Sequence, residues 1–186
     1  MIDPLKPVTT APTLCKICGG AAPLYGVVDF NKSCEEAYYR RCANCHFVFT
    51  DAFDDWSADQ FKTHIYNDDY RMVDPDYKTT RPRGNAEVVA RLWGEHQKDT
   101  RVLDYGGGNG EFCTVLRAET FDPMVPEFSR RPNGKFDLVT SFETLEHLPD
   151  PRAGIASPLE SAADPGVVLF TTLVQPAEFD NFGVNW

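Results

Sequence analysis

Apolar residues change rhythm several times along the second half of this chain. In Arg-Val-Leu-Asp-Tyr the apolar pair Val102 and Leu103 runs into Gly-Gly-Gly-Asn-Gly at 106–110, after which Phe112, Val115 and Leu116 recur at helical spacing. The stretch therefore reads as a strand, a glycine turn and a helix from Glu111 to about Ala118. Further strands are predicted near Phe121, over Phe136–Phe142 and over Val167–Val174, with Pro165-Gly166 turning the chain into the last. Val88, Val89, Leu92 and Trp93 recur at i, i+1, i+4 and i+5, which predicts an amphipathic helix capped by Asn85 and ended by Gly94. Ile155 and Leu159 mark a helix that Pro158 interrupts. Strands alternating with helices imply an α/β domain built on a parallel sheet with right-handed crossovers.

The first half is organised differently. Pro4, Pro7 and Pro12 make residues 1–13 an extended, mobile tail. Residues 14–50 are short, cysteine-punctuated and aromatic, and read as a small β-rich unit. Residues 51–83 set Trp56, Phe61, Tyr66, Tyr70 and Tyr77 among closely spaced aspartates, as expected of a linker that packs through short helices. The α/β domain occupies 84–186.

Charge narrows the range of partners. Eighteen Lys and Arg stand against 28 Asp and Glu, a net charge of −10, and such a surplus disfavours nucleic acid, whose phosphates are held by clustered cations. A small-molecule substrate fits better. The apolar run Val167–Phe170 falls far short of the roughly 20 residues of a membrane-spanning helix, so no membrane role is expected. Met-Ile-Asp-Pro-Leu-Lys-Pro lacks the basic start and apolar centre of a secretory signal, which predicts a cytoplasmic protein with reduced thiols.

Those thiols are patterned. Cys15-Lys-Ile-Cys18 and Cys42-Ala-Asn-Cys45 are two Cys-x-x-Cys pairs separated by 23 residues. Each spacing lets a tight turn aim two sulfurs at one point, and two such turns supply the four thiolates of a tetrahedral, structural zinc site. Gly19 suits the end of such a turn. Free buried cysteines, a redox dithiol and an iron–sulfur centre are the alternatives, and His46 is a substitute ligand for one sulfur. Cys34 and Cys113 have no partner at ligand spacing and read as small buried apolar residues.

The glycine turn carries the chemistry. A Gly-x-Gly-x-x-Gly fingerprint from Gly106 needs glycine at 111, and one from Gly108 needs it at 113, but the residues there are Glu111 and Cys113. The pattern that fits is Asp-x-Gly-x-Gly-x-Gly, with Asp104 at the strand end. An anion there repels a diphosphate and suits a ligand with an ammonium and a sulfonium group, which is S-adenosylmethionine. Glu111 and Asp104 likewise count against a nicotinamide-dependent oxidoreductase.

Val-Leu-Asp104-Tyr-Gly-Gly-Gly-Asn-Gly110, with the later Phe-Asp137-Leu-Val-Thr-Ser-Phe-Glu143-Thr-Leu-Glu146-His147-Leu-Pro-Asp-Pro, resembles the class I S-adenosylmethionine-dependent methyltransferases. The paired cysteines upstream extend the resemblance to the branch with an N-terminal zinc-binding segment, which includes sugar C-methyltransferases. The resemblance implies a Rossmann-like doubly wound parallel sheet behind a zinc-ribbon-like unit. It implies cofactor contacts from Asp104, Gly106, Gly108, Gly110 and Phe142, and a ribose contact from Asp122, with Glu119 as competitor. Only eleven residues separate Gly110 from Asp122, and Asp122 to Asp137 is too short and too rich in proline for a normal helix and third strand, so the usual adenine contact is expected to be missing. The chain also stops at Trp186, just after the fourth strand, where the family's fold continues through another helix and an antiparallel pair. We therefore expect an incomplete domain.

Methyl transfer chiefly needs alignment, and a base where the nucleophile is an alcohol or carbon acid. His147 is the candidate base, with the capping of a turn or a hydrogen bond to Glu143 as the structural alternative. Glu143 and Glu146 are candidates to bind a substrate hydroxyl or orient the histidine. Tyr66, Tyr70 and Tyr77 either cover the cofactor or pack; Lys78, Arg81 and Arg83 either clamp the phosphate of a nucleotide sugar or are ordinary surface charge. The acceptor expected is a small molecule, a sugar or nucleotide sugar among the options. The alternative is a shortened, inactive relative serving as a zinc-stabilised binding module.

Overall fold

The computed structural model describes residues 12–29, 36–94, 99–176 and 178–182. The expected tail up to residue 11 and Cys34 lie outside them. The chain divides into two compact units. The first comprises the described residues up to Asn67 with Pro149–Arg152 and those from Val174 onward; the second comprises Asp68–Leu148 and Ala153–Leu173.

In the first unit β1 (Thr13–Leu14) pairs antiparallel with β2 (Ala21–Ala22), closing a loop around the first cysteine pair. A second antiparallel sheet follows, β3 (Leu24–Asp29), β4 (Glu36–Arg41) and β5 (Val48–Thr50), in that order. Helix α1 (Ala58–His64) begins in a capping box: the Ser57 hydroxyl accepts the Gln60 amide while the Gln60 side chain accepts the Ser57 amide. Trp56 fills the hollow beside it, its ring centroid 4.9 Å from Phe53 and 5.3 Å from Phe61.

The second unit starts with α2 (Tyr70–Val73) and α3 (Thr80–Trp93). Asn85 does not cap α3 as the sequence suggests; the helix begins at Thr80, because Pro82 lies in the first turn, where the missing amide hydrogen costs nothing. Its buried face is Ala86 and Val89 with Ala90 and Trp93 behind them, whereas Val88 and Leu92 are exposed. Two alanines allow close approach to the sheet, which the larger apolar residues would prevent. Gly94 ends the helix with φ of 54°.

Strands β6 (Val102–Tyr105), β7 (Glu119–Phe121), β8 (Phe136–Phe142) and β9 (Ala162–Thr171) form one parallel sheet in the order β7-β6-β8-β9. Successive residues point to opposite faces, so Val102 and Leu138 pack with α3 and α4 (Phe112–Val115), while Leu103 and Val139 pack with Tyr105 and Phe121. Side chains on both faces are buried, as in parallel sheets generally. The helix expected to reach Ala118 stops at Val115, since the next strand starts at Glu119. Between Asp122 and Asp137 there is only a 3-10 turn, Pro126–Phe128, as the proline content anticipates.

Helix α5 (Pro151–Ser161) runs through Pro158 without stopping. It buries Gly154, Pro158 and Ser161, leaving Ile155 and Leu159 exposed. Pro165-Gly166 lies inside β9 rather than before it: between Phe136↔Ala162 and Leu138↔Val167 the register takes two steps on β8 and five on β9, so the pair sits in a bulge. Past β9, α6 (Phe179–Phe182) belongs to the first unit, where the Phe179 ring stacks on Tyr25 at 5.9 Å.

Candidate functional site

The four predicted sulfurs come together. One ligand atom from each of Cys15, Cys18, Cys42 and Cys45 lies within 4.8 Å of every other, with Cys15 and Cys45 Sγ 3.6 Å apart and Cys18 and Cys42 Sγ 3.4 Å apart. A zinc–sulfur bond of about 2.3 Å implies tetrahedral edges of about 3.8 Å, so the donor set fits the metal. Two loops of the same shape build it. In the first, Gly19 N–H donates to Cys15 O and Cys15 N–H to Gly20 O; in the second, His46 N–H donates to Cys42 O and Cys42 N–H to Phe47 O. Amides also point at sulfur, from Ile17 to Cys15 and from Asn44 to Cys42, both at 3.3 Å. The Gly20 amide, helped by the Asn44 side chain, lowers the Cys18 thiol to about 6, favouring thiolate. His46 stands where the first loop has Gly19, with φ of 62° against 70°, so its backbone completes the turn while Cys45 supplies the sulfur. The small core here, Ala22 and Phe49, includes Cys15 and Cys42 themselves. Cys113, partly buried in the other unit, shares a hydrogen bond with Thr120, and burial pushes its thiol up to about 11.

The second site lies at the carboxyl ends of β6 and β8. The chain leaves β6 for β7 on one side and returns to β8 on the other, and ligands of open α/β sheets bind at such a switch point. Gly106, Gly108 and Gly110 have φ of 77°, 55° and 76°, so the turn is closed to residues with side chains. Its amides are used internally: Gly106 and Gly107 donate to Phe121 O, and Gly108 donates to Asp122 Oδ2 at 2.9 Å. Asp104 lies beneath the turn, 4% exposed, where a Cβ on Gly107 would come within 2.5 Å of its Oδ2. Its Oδ1 accepts the Thr140 hydroxyl at 2.8 Å. Burial pushes its carboxyl up to about 7, against the pull of Thr140 and with a further push from Asp122. Phe128 covers Gly110.

Asp122 stands just past β7, level with Gly106 in the register, and its Oδ1 accepts the Met124 amide. Glu119, the competing carboxylate, is taken by Arg101 at 2.7 Å. Phe142 packs on Phe112, ring centroids 5.8 Å apart. Glu143 follows with φ of 48°, uncommon for a residue with a side chain, and its Oε1 accepts the Thr171 hydroxyl at 2.8 Å. Glu146 and His147 have solvent-exposed side chains on the 3-10 turn Leu145–His147; partial loss of solvent around the Glu146 carboxyl, with the nearby Glu143 charge, raises it.

Arg81 and Arg83 pair with Asp74 and Glu111, and the Lys78 ammonium rests over the Tyr77 ring. The basic group is therefore largely neutralised where it stands. Tyr70 and Tyr77 pack edge to face at 4.9 Å. Sequence reasoning missed four residues. Thr140 holds Asp104, Thr144 fills the space above Gly106, Thr171 holds Glu143, and Asn109 ties the turn to the Lys78 carbonyl and the Glu111 amide. Only Thr140 left a signal, since it and Ser141 follow the apolar pair Leu138-Val139 within the buried part of the strand.

A parallel sheet whose first strand ends in a carboxylate under a Gly-x-Gly-x-Gly turn, with a second carboxylate at the end of the neighbouring strand, defines a class I S-adenosylmethionine-dependent methyltransferase fold. The family model described as a methyltransferase domain matches residues 77–186, more than half of the chain, and the chain belongs to that family. A ubiquinone biosynthesis O-methyltransferase from Aromatoleum aromaticum is 40% identical over 47 residues, which are 25% of this chain and 20% of that protein. The chain thus spans about a fifth of the curated relative it matches. Among the described residues no helix is long and apolar enough to cross a membrane.

Proposed function

We propose that the chain binds S-adenosylmethionine at the Gly106–Gly110 turn and directs its methyl group to a hydroxyl of a small, uncharged, sugar-like acceptor. The observation that carries this reading is the pair of carboxylates, Asp104 and Asp122, framing a turn whose amides at Gly106, Gly107 and Gly108 are already spent. Such a turn has little to offer a diphosphate and much to offer a cation. When bound, the cofactor supplies an electrophilic methyl carbon. Asp122 keeps one lone pair on each oxygen after accepting the Gly108 and Met124 amides, enough for two ribose hydroxyls. Gly106, Gly108 and Gly110 keep the backbone low, and Phe142, packed on Phe112, is the apolar residue assigned to flank the cofactor.

Glu143, steadied by Thr171, offers its second oxygen to an acceptor hydroxyl. His147 takes the acceptor's proton on an imidazole nitrogen, with Glu146 beside it to hold the resulting cation. Pairing of Arg81 and Arg83 with Asp74 and Glu111 weighs against a nucleotide-sugar diphosphate clamped by these residues. The name of the matched relative, an O-methyltransferase, agrees with oxygen as the nucleophile. The four cysteines hold one structural zinc, which leaves no open position for catalysis and supports a reducing, cytoplasmic setting.

Titration calorimetry with S-adenosylmethionine tests the reading. Saturable binding of one equivalent, abolished in Asp122→Ala, is expected; absence of binding in the folded, zinc-loaded protein overturns it. That outcome would favour an inactive binding module, a reading supported by the bare 3-10 turn between Asp122 and Asp137, where the family's adenine contact is expected.

A further inference from the structure

Asp104 is surrounded by an unusual set of neighbours for a buried carboxylate. Among the described residues the Thr140 hydroxyl donates to its Oδ1, while Oδ2 lies against the Gly107 backbone. The amides that usually neutralise a strand-end carboxylate are committed elsewhere, those of Gly106 and Gly107 to Phe121 O and that of Gly108 to Asp122. The titratable groups facing it are Asp122, beyond β7, and the Cys113 thiol, on α4; Thr140 on β8 and Thr120 on β7 are neutral. Among the described residues no cation faces it from any of these elements. A carboxylate 4% exposed, beside another carboxylate, is short of one positive charge.

We propose that this charge is a proton in the free protein and the cofactor in the complex, so that S-adenosylmethionine binding expels a proton from Asp104. The step is an acid dissociation: the Asp104 O–H bond breaks, its electron pair stays on the carboxylate, and the proton passes to buffer. Asp104 is thus a sensor that ties cofactor occupancy to pH. The inference rests on the cofactor site proposed above. Its sign is fixed by linkage: a ligand that binds the ionised form better is held more tightly as pH rises, until the free protein itself ionises. The acid form predominates below about pH 7 in the free protein. Affinity therefore falls about tenfold for each unit below that value, down to the lowered midpoint of the complex, and flattens above it.

The experiment is calorimetric titration of S-adenosylmethionine into the full chain at pH 6, 7 and 8, in two buffers of different ionisation enthalpy. It is repeated on Asp104→Asn and Thr140→Val. The amide of the Asp104→Asn variant copies the neutral acid without a proton to lose, so any titration of the ligand's own amino group survives in it and is subtracted. Expected is a proton release above the Asp104→Asn value that is large on the acid side of the free protein's midpoint and falls away above it, with the release curve displaced to higher pH in Thr140→Val, which loses the hydroxyl that favours ionisation. Equal proton counts in wild type and Asp104→Asn, with binding intact, overturn the proposal and leave the cofactor site standing. Absence of binding at every pH overturns the cofactor site, and the sensor with it. The free protein gives an independent reading by urea unfolding. Wild type is expected to lose stability relative to Asp104→Asn as pH rises from about 5 to about 7, because over that range the native state holds a proton that the unfolded state has already lost. A flat difference across that range refutes the neutral acid directly.

Discussion

Replacing Gly106 by alanine tests whether the cofactor turn is shaped by sterics as well as by backbone conformation. Two penalties apply. Gly106 has φ of 77°, and a side chain in the left-handed region costs about 1–2 kcal/mol. The new Cβ would also stand 2.5 Å from Thr144 Oγ1 and 3.0 Å from Thr144 Cβ, well inside ordinary contact. Thr144 must then swing aside, breaking its 3.0 Å hydrogen bond to Phe142 O, which adds about 1 kcal/mol. The sum is about 2–3 kcal/mol. Gly108→Ala isolates the first penalty, since φ there is 55° and nothing lies within 4 Å of the added carbon; it is expected to cost about 1–2 kcal/mol. Urea unfolding followed by circular dichroism measures both, and the double variant Gly106→Ala/Thr144→Ala completes the cycle. Removing the Thr144 hydroxyl and methyl should recover about 1 kcal/mol relative to additivity. If Gly106→Ala costs no more than Gly108→Ala, or if the two substitutions add, the account of a turn roofed by Thr144 is wrong.

Metal analysis of protein purified without chelator should find about one zinc per chain, lost on Cys42→Ser, with collapse of the first unit's signals in NMR spectra. Retention of that unit's fold without metal would refute the metal as its organising centre. His46→Gly should keep the zinc and raise stability by up to about 1 kcal/mol, because glycine meets the φ of 62° without strain; loss of zinc would instead make His46 a ligand. Glu119→Gln should leave S-adenosylmethionine affinity within about twofold, since Arg101 already occupies that carboxylate; a tenfold loss would return Glu119 to the ribose site.

The chain's glycine and cysteine patterns were legible because each is a local geometric demand. Two Cys-x-x-Cys turns aim sulfurs at a point whatever surrounds them, and a strand ending in Asp104 before alternating glycines allows few conformations. The order of strands and helices was legible for the same reason, since periodicity is written residue by residue. The helix faces were not. Val88, Leu92, Ile155 and Leu159 look buried by size, yet Ala86, Gly154 and Ser161 are buried instead. Close packing selects small residues where backbones approach, and sequence cannot say where that happens. The length of α5 through Pro158 and the bulge at Pro165-Gly166 were likewise settled by neighbours in the sheet.

The order of residues set the chemistry available: four thiolates in pairs, a carboxylate at a strand end, a backbone turn open only to glycine. Folding settled how each charge is met. It paired Arg81 and Arg83 with Asp74 and Glu111, gave Glu119 to Arg101, turned Asp122 toward Gly108, and buried Asp104 against the Thr140 hydroxyl. The reason is that a charge's behaviour depends on distance and dielectric, and both arise from contacts between residues far apart in the chain.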